Sequence, residues 1–579
     1  MKTRKKWQLG IMSLTLMMSI VGCSSGNNNA NENAPKETGN AATTNTDTTT
    51  NTTEAAEPAK EEPVTFTYFN ATANKDTDTN KTEIGKILED QTGVNFKMEH
   101  LVGDLNTKIG TMIASNEYPD ILQPDAGIDK VLEAGAFIPL NDLIDQYGPN
   151  IKRVYGPYMN LMKSDDGNIY FLPFSAVVGE YKPNPTIDQG AFWVQNRVLK
   201  DAGYPQIKTF DEYFNLIKDY AGKHKDDKLT GFMSLTHDWR FFATTNPPNH
   251  LAGYPNDGEV QVDMTSMDSK IYAANDDTKR WLKKLNEFNA EGLFDKSSFV
   301  DNYDQYLAKL TSGKVLGFFD YGWQVNQALQ TLKTETLKNG GNDDLEYFPL
   351  PIVFDAGVKD QYIDPASFVN NRGVGITTSA KDPVRIIKFF NNLLTDENQK
   401  LVQWGVQGKN YEVDDKGRLY RTQEEIDKLK DNDYKRQVGI GYFEYYWPMY
   451  GQGSTFPDGN AVNPGRQPEV AQASFTPAEK DRLAKYGVQT YAEMFSAPDD
   501  RPWYPAWSIA LEQGTDAQIY TAKKPDVQRK YFAKIVLASP DKFDGLWNEY
   551  VGEIEKLPVA EYEKTMTEEV KEKVAKIKG

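Results

Sequence analysis

Val64-Thr65-Phe66-Thr67-Tyr68-Phe69 reads as an alternating strand, and the residues from there to Leu122 decide the fold. Asn80 and Glu83 stand in capping-box spacing, Ile84, Ile87 and Leu88 share one helical face, and Gly93 stops the helix. Val94-Asn95-Phe96-Lys97-Met98 alternates again. Leu105, Ile109, Met112 and Ile113 make a second helical stripe, followed by the strand signal Pro119-Asp120-Ile121-Leu122. Strand, helix, strand, helix, strand is the order of a mainly parallel sheet covered by helices, so the fold class is α/β.

The alternation continues downstream. Val315-Leu316-Gly317-Phe318-Phe319 is a buried strand, and Arg372 to Ile376 is another. Asp382 caps a long helix with Pro383 at its first position and an apolar stripe of Ile386, Ile387, Phe389, Phe390, Leu393 and Leu394. Trp503-Tyr504-Pro505-Ala506-Trp507 precedes a C-terminal helical region, which ends in a Glu/Lys-rich helix over 561–578 with a solvated face. No internal repeat is visible.

Upstream of Val64 the character changes. Residues 24–63 contain no aromatic residue and no Val, Ile, Leu or Met, so they bury too little apolar surface to offset their ordering entropy. They read as a flexible tether with a root-mean-square span of about 35 Å. Before it, Lys2, Arg4, Lys5 and Lys6 precede an apolar run from Leu9 to Val21, too short for a membrane span and shaped like a signal peptide. The run closes on Ile20-Val21-Gly22-Cys23, a lipobox pattern. Cys23 is the only cysteine of the chain and stands where a lipobox needs a thiol for its lipid, so lipidation at Cys23 is expected, with palmitate among the attached acyl chains.

The 579 residues carry a formal charge of −18, a balance unsuited to sequence-independent nucleic-acid binding. One cysteine excludes a disulfide framework and a cysteine-based zinc site. His100, His224, His237 and His250 form no two-histidine motif, and Asp165-Asp166-Gly167-Asn168 and Asp414-Asp415-Lys416-Gly417 read as β-turns, so no metal is expected. A P-loop, a dinucleotide fingerprint and a Gly-x-Ser-x-Gly elbow are absent, and no cofactor is expected. Paired carboxylates for glycoside hydrolysis stay open among 83 acidic residues.

Aromatic placement is the positive signal. Trp239, Trp323, Trp447, Trp503 and Trp507 sit beside polar or turn residues and outside apolar stripes. The flat C–H faces of sugar rings pack on such rings, while sugar hydroxyls need a few placed polar groups.

Several stretches resemble the extracellular solute-binding proteins of ABC transporters, family 1, and within it the LplA/LipO-type lipoproteins linked to oligosaccharide and aldouronate uptake. The resemblance runs in order from Gly85-Lys86-Ile87-Leu88-Glu89-Asp90-Gln91-Thr92-Gly93-Val94 through Met112-Ile113-Ala114-Ser115-Asn116-Glu117-Tyr118-Pro119-Asp120-Ile121 and Gly167-Asn168-Ile169-Tyr170-Phe171-Leu172-Pro173. It continues through Asp320-Tyr321-Gly322-Trp323 to Trp404-Gly405-Val406-Gln407-Gly408-Lys409-Asn410-Tyr411.

That resemblance implies a two-lobed type II periplasmic-binding-protein fold with an interlobe ligand cleft and a hinge. The expected division is a signal peptide over 1–22, a lipidated linker over 23–63, a first lobe from 64–180 and 351–440, and a second lobe from 181–350 and 441–579. It further implies a monomer without enzymatic activity, anchored by lipid on the outer face of the cell membrane, in keeping with a Gram-positive surface. Such a protein captures an oligosaccharide, an aldouronate among the candidates, and delivers it to ABC permease subunits. Trp323 is the first expected ligand residue, with Tyr321 beside it and Trp239 and Trp447 as further stacking candidates. Asn70, Asp125 and Arg372 lie beyond strand ends, where open α/β sheets place polar ligand groups. Some relatives carry an acidic calcium loop after Thr209-Phe210-Asp211-Glu212, but here Gly222-Lys223-His224-Lys225-Asp226-Asp227-Lys228 has the wrong spacing and three lysines. A surface glycan hydrolase or lyase, and a lipoprotein that only senses a glycan or peptide, remain alternatives.

Overall fold

The strand that opens the fold, Val64–Asn70, lies at the middle of a six-stranded sheet in the computed structural model, which describes residues 62–443, 447–501 and 503–578. Cys23, the leader and nearly all of the linker lie outside the described residues. Val64–Asn70 pairs in parallel with Val94–His100 on one side and Ile121–Gln123 on the other, with Phe66 opposite Phe96 and Tyr68 opposite Met98. Val369–Ile376 adds antiparallel to Ile121–Gln123, and Leu172–Phe174 closes that edge. The two helices of the opening pattern are Glu83–Thr92 and Leu105–Ser115. The first starts differently from the capping-box reading. Thr82 is its N-cap, accepting from Gly85 N, while Asn80 sits in a preceding 3-10 turn. Gly93 ends the helix at φ 67°, a conformation that favours glycine.

A second, four-stranded sheet runs in the order Tyr347–Leu350, Gly190–Gln195, Val315–Tyr321, Thr230–Met233. Every residue of Val315–Tyr321 is buried, as expected of a central strand covered on both faces. Each sheet organises its own apolar core, giving an α/β protein of two lobes. The first core gathers Phe66, Phe96, Ile386 and Phe390, and the second Phe192, Phe232, Trp281 and Phe319.

The chain changes lobe between Phe174 and Gly190, then again beyond Leu350. The second crossover falls later than the boundary at 350. Val353 bridges Thr209, Phe354 N donates to Leu251 O, and Tyr362 and Ile363 still pack in the second core before Val369 enters the first sheet. The third also falls later than the boundary at 440, because Tyr442, Phe443, Trp447, Tyr450, Phe456 and Val462 belong to the first core. That stretch has no helical or strand periodicity from which its lobe could be read. The last helix, Val559–Lys578, packs mainly on the second lobe, and its Ile577 reaches the first core. No described helix is long and apolar enough to cross a membrane.

Candidate functional site

Trp323 is positioned by the sharp passage from strand Val315–Tyr321 into helix Gly322–Lys338. Gly322 N donates to Gln189 O at 3.0 Å and Trp323 N to Asp188 O at 2.9 Å, so the helix start is held against the 187–189 segment. A Cβ on Gly322 would lie 2.1 Å from Ile187 O, so only glycine fits. Beneath the turn, buried Asp320 accepts from Tyr306 Oη, Tyr321 N and Gln324 Nε2 at 2.7–2.8 Å, and burial still pushes its carboxyl up to about 6.

The indole of Trp323 is 51% exposed, and beside it stands Trp239, 61% exposed, from the 3-10 turn Asp238–Phe241. Their rings lie 6° from parallel with centroids 6.0 Å apart, and Phe242 packs against both. The Arg240 guanidinium sits 4.5 Å from the Trp239 centroid and pairs with Asp238, which fixes that ring from behind. Trp507, 45% exposed, comes from the loop after Trp503. Gly258, at φ +77°, lets that loop approach, because a Cβ there would meet Trp507 Cβ at 2.8 Å. The buried pair Arg501–Asp257, at 2.7 Å, anchors the same loop through Ala506 N, and burial raises the Asp257 carboxyl to about 6.

These rings wall a cavity of about 500 Å³. Its floor is Tyr321, 3% exposed, whose hydroxyl lies 3.0 Å from His250 Nε2 and accepts from Asn246 Nδ2 at 3.2 Å. Asn246 also bonds Tyr272 and Asn256, and Asn256 N donates to Asp364 Oδ1 at 3.3 Å. The polar chain therefore runs from the floor to Asp364, on the connector between the lobes. Ser367 and Gln452 line the cavity from the first-lobe side, and Tyr181, Glu259, Arg466 and Tyr504 complete its polar wall. An apolar cavity of this size with a few convergent polar groups has the make-up of a small-molecule site.

Burial lowers the His250 imidazole to about 4, against an ordinary value near 6.5. The stability gained by keeping it neutral is fully present above pH 6.5 and is lost as the pH falls from 6.5 through 4. Unfolding free energies from urea titrations between pH 7 and 4.5 should fall by up to about 1.4 kcal/mol per pH unit from this residue. A His250→Gln variant should show a shallower slope over that interval.

Of the residues named from sequence, Trp323, Tyr321 and Trp239 meet at this cavity. Trp447 does not. It is 1% exposed in the first core, between Tyr68, Phe96, Phe389 and Phe443, with ring centroids 4.7–5.9 Å away, and is a packing residue. Asp125 and Arg372 form a pair, Nε to Oδ1 2.6 Å, on the first lobe away from the described cavity lining, so each charge is met by the other. Asn70 is the buried last residue of its strand, and its Oδ1 accepts from Thr72 N just beyond the strand end. Asp364, Arg466 and Gln452 were missed because they occupy irregular segments without a motif. Trp507 carried a signal, its place beside Trp503 in a Pro-rich turn. Among the described residues no group of three or more His, Cys, Asp or Glu is placed to hold a metal ion.

A profile of bacterial extracellular solute-binding proteins matches residues 83–409, more than half of the chain. The chain belongs to the bacterial extracellular solute-binding protein family. Similar proteins include the fructooligosaccharide ABC transporter substrate-binding protein FusA of Streptococcus pneumoniae serotype 4, 30% identical over an aligned length of 241, covering 38% of this chain and 43% of FusA. Lipoprotein LipO of Bacillus subtilis (strain 168) is 24% identical over 355 residues, 57% of this chain and 64% of LipO. The matched stretches thus span less than two thirds of either relative. Among solved structures, S. pneumoniae FusA with kestose superposes with a TM-score of 0.59 at 19% identity, covering 88% of this chain and 100% of that one. The alginate-binding protein AlgQ2 without calcium gives 0.58 at 19% identity over 89% and 100%. A solute-binding protein of Bifidobacterium longum subsp. infantis gives 0.61 at 14% over 89% and 99%. These likenesses establish the two-lobed fold of the extracellular solute-binding family.

Proposed function

We infer that the protein is the lipid-anchored substrate-binding component of an ABC importer, which captures an oligosaccharide between its lobes and releases it unchanged to membrane permease subunits. The observation that carries this is the cavity walled by three half-exposed indoles, Trp239, Trp323 and Trp507, over a floor of hydrogen-bonded polar side chains. Indole faces take the C–H faces of sugar rings, and Asn246, Asn256, Ser367 and Gln452 supply neutral partners for hydroxyls. The carboxylates of the site are each tied to a backbone amide or a cation, an arrangement that suits reversible binding better than proton transfer to a glycosidic bond.

Closure turns about the three crossovers and brings Ser367 and Gln452 over a ligand seated on the second lobe, a population shift driven by contacts made only in the closed state. Cys23, its lipid and the tether hold a monomer at the outer face of the membrane. FusA, by its description, binds fructooligosaccharides for an ABC transporter, and this likeness supports the same role here with a glycan.

A thermal-shift screen of the protein from Glu62 onward, against neutral and acidic oligosaccharides, tests the reading. A cognate glycan at 100 times its dissociation constant should add about 2.7 kcal/mol of stability. The sugar should be recovered intact by chromatography; cleavage products would transfer the site to a hydrolase or lyase.

A further inference from the structure

The cations around the cavity are already spent. Among the described residues that line it, Arg466 carries the only positive charge. It is 5% exposed, donates Nη1 to Lys182 O at 2.8 Å and faces Asp188 with Nη2 at 3.5 Å. Glu259 is held by Lys524, whose side chain is 2% exposed and does not line the cavity. Asp364 faces the cavity, hydrogen-bonded by the Tyr504 hydroxyl and the Asn256 amide and, among the described residues, paired with no cation.

We propose that this cleft selects neutral oligosaccharides and rejects uronate-bearing ones, with Asp364 as the specificity-determining residue. The proposal rests on the oligosaccharide reading above. A sugar carboxylate entering the cavity loses its water and finds no uncommitted cation, a large penalty in a partly dry site. Ionised Asp364 adds repulsion, which at 5–6 Å and an intermediate dielectric is worth about a hundredfold in affinity. Neutral sugar hydroxyls suffer neither effect and can donate to Asp364.

Burial, reinforced by the neighbouring carboxylates Asp257 and Asp188, raises the Asp364 carboxyl to about 7. Of the groups around it, Asp257, itself raised to about 6 and paired with Arg501, also starts to take a proton as the pH falls to 6. Arg466 faces Asp188, burial holds Tyr181, Tyr321 and Tyr504 neutral, and His250 is already neutral. Rejection of uronates should therefore be strong at pH 8 and relax by about tenfold at pH 6, as Asp364 takes a proton.

The test is intrinsic tryptophan fluorescence titration at pH 8 and pH 6, with neutral xylo-, manno-, gluco- and fructo-tetrasaccharides, each compared with a counterpart bearing one uronic acid. For the best neutral glycan, the uronate counterpart should bind at least a hundredfold more weakly at pH 8 and about tenfold closer at pH 6. Asp364→Asn, nearly isosteric, should narrow the gap about tenfold at pH 8 and remove most of its pH dependence; the wild-type pH comparison stands if that variant folds poorly. A uronate glycan binding as tightly as its neutral partner at pH 8, or a gap in Asp364→Asn equal to that of the wild type, overturns the proposal while leaving the oligosaccharide reading intact. Binding of no glycan at millimolar concentration overturns both.

Discussion

Alanine at both Trp239 and Trp323 is expected to weaken glycan binding at least a hundredfold while leaving the unfolding midpoint nearly unchanged. Both indoles are more than half exposed, so little of either is buried in the fold to be lost. Tryptophans at the centre of an interface are frequent hot spots, each worth about 2 kcal/mol or more on truncation. The two rings lie nearly parallel and packed together, so their losses should couple, and the double variant should fall short of the sum of the single ones. Isothermal titration with the glycan found by the stability screen reads the affinity, and a calorimetric scan reads the fold. A loss below fivefold with intact stability would place the sugar elsewhere.

Trp447→Ala should do the reverse and cost about 3–5 kcal/mol of stability. Its indole fills the space between Tyr68 and Phe96 of the central strands and Phe389 of helix Pro383–Leu393, so truncation opens a cavity where sheet and helix meet. Close-packed interiors collapse only partly around such a void. Trp447→Phe keeps most of the aromatic contact and should lose less than half as much. Chemical denaturation measures both. The fraction of Trp447→Ala that remains folded should bind glycan like the parent, because the residue lies outside the cavity. A folded variant with normal stability and impaired binding would return Trp447 to the site.

These two expectations separate residues that look alike in the sequence. His237-Asp238-Trp239-Arg240 and Trp447-Pro448 both put an indole among polar or turn residues, and local pattern gives no means of ranking them. Tertiary packing ranks them: one ring is propped by Arg240 at the surface, and the other is enclosed by five aromatic rings. Trp323 was more legible, because a buried strand running straight into a helix leaves the first helical residues at the sheet's end. The same strand-end logic named Asp125 and Arg372 and missed their role, since it locates positions and is blind to a charge pair formed between two elements 247 residues apart. The first lobe's order of strands and helices was legible because its connections are short and periodic. The later crossovers and Asp364 were not, as irregular segments have no period and their partners are set by packing alone.

The hydrogen-bonded floor has a kinetic consequence. Tyr321, His250, Asn246, Tyr272 and Asn256 belong to the second lobe, as do Trp239 and Trp323, whereas Ser367 and Gln452 come from the other side. The platform is thus assembled before the lobes meet. A sugar can land on the open second lobe in a fast encounter whose rate rises with concentration, and the first lobe then swings over it in a step whose rate does not. Mixed rapidly with excess glycan, the protein should show an observed rate that climbs and then levels off at the speed of closure.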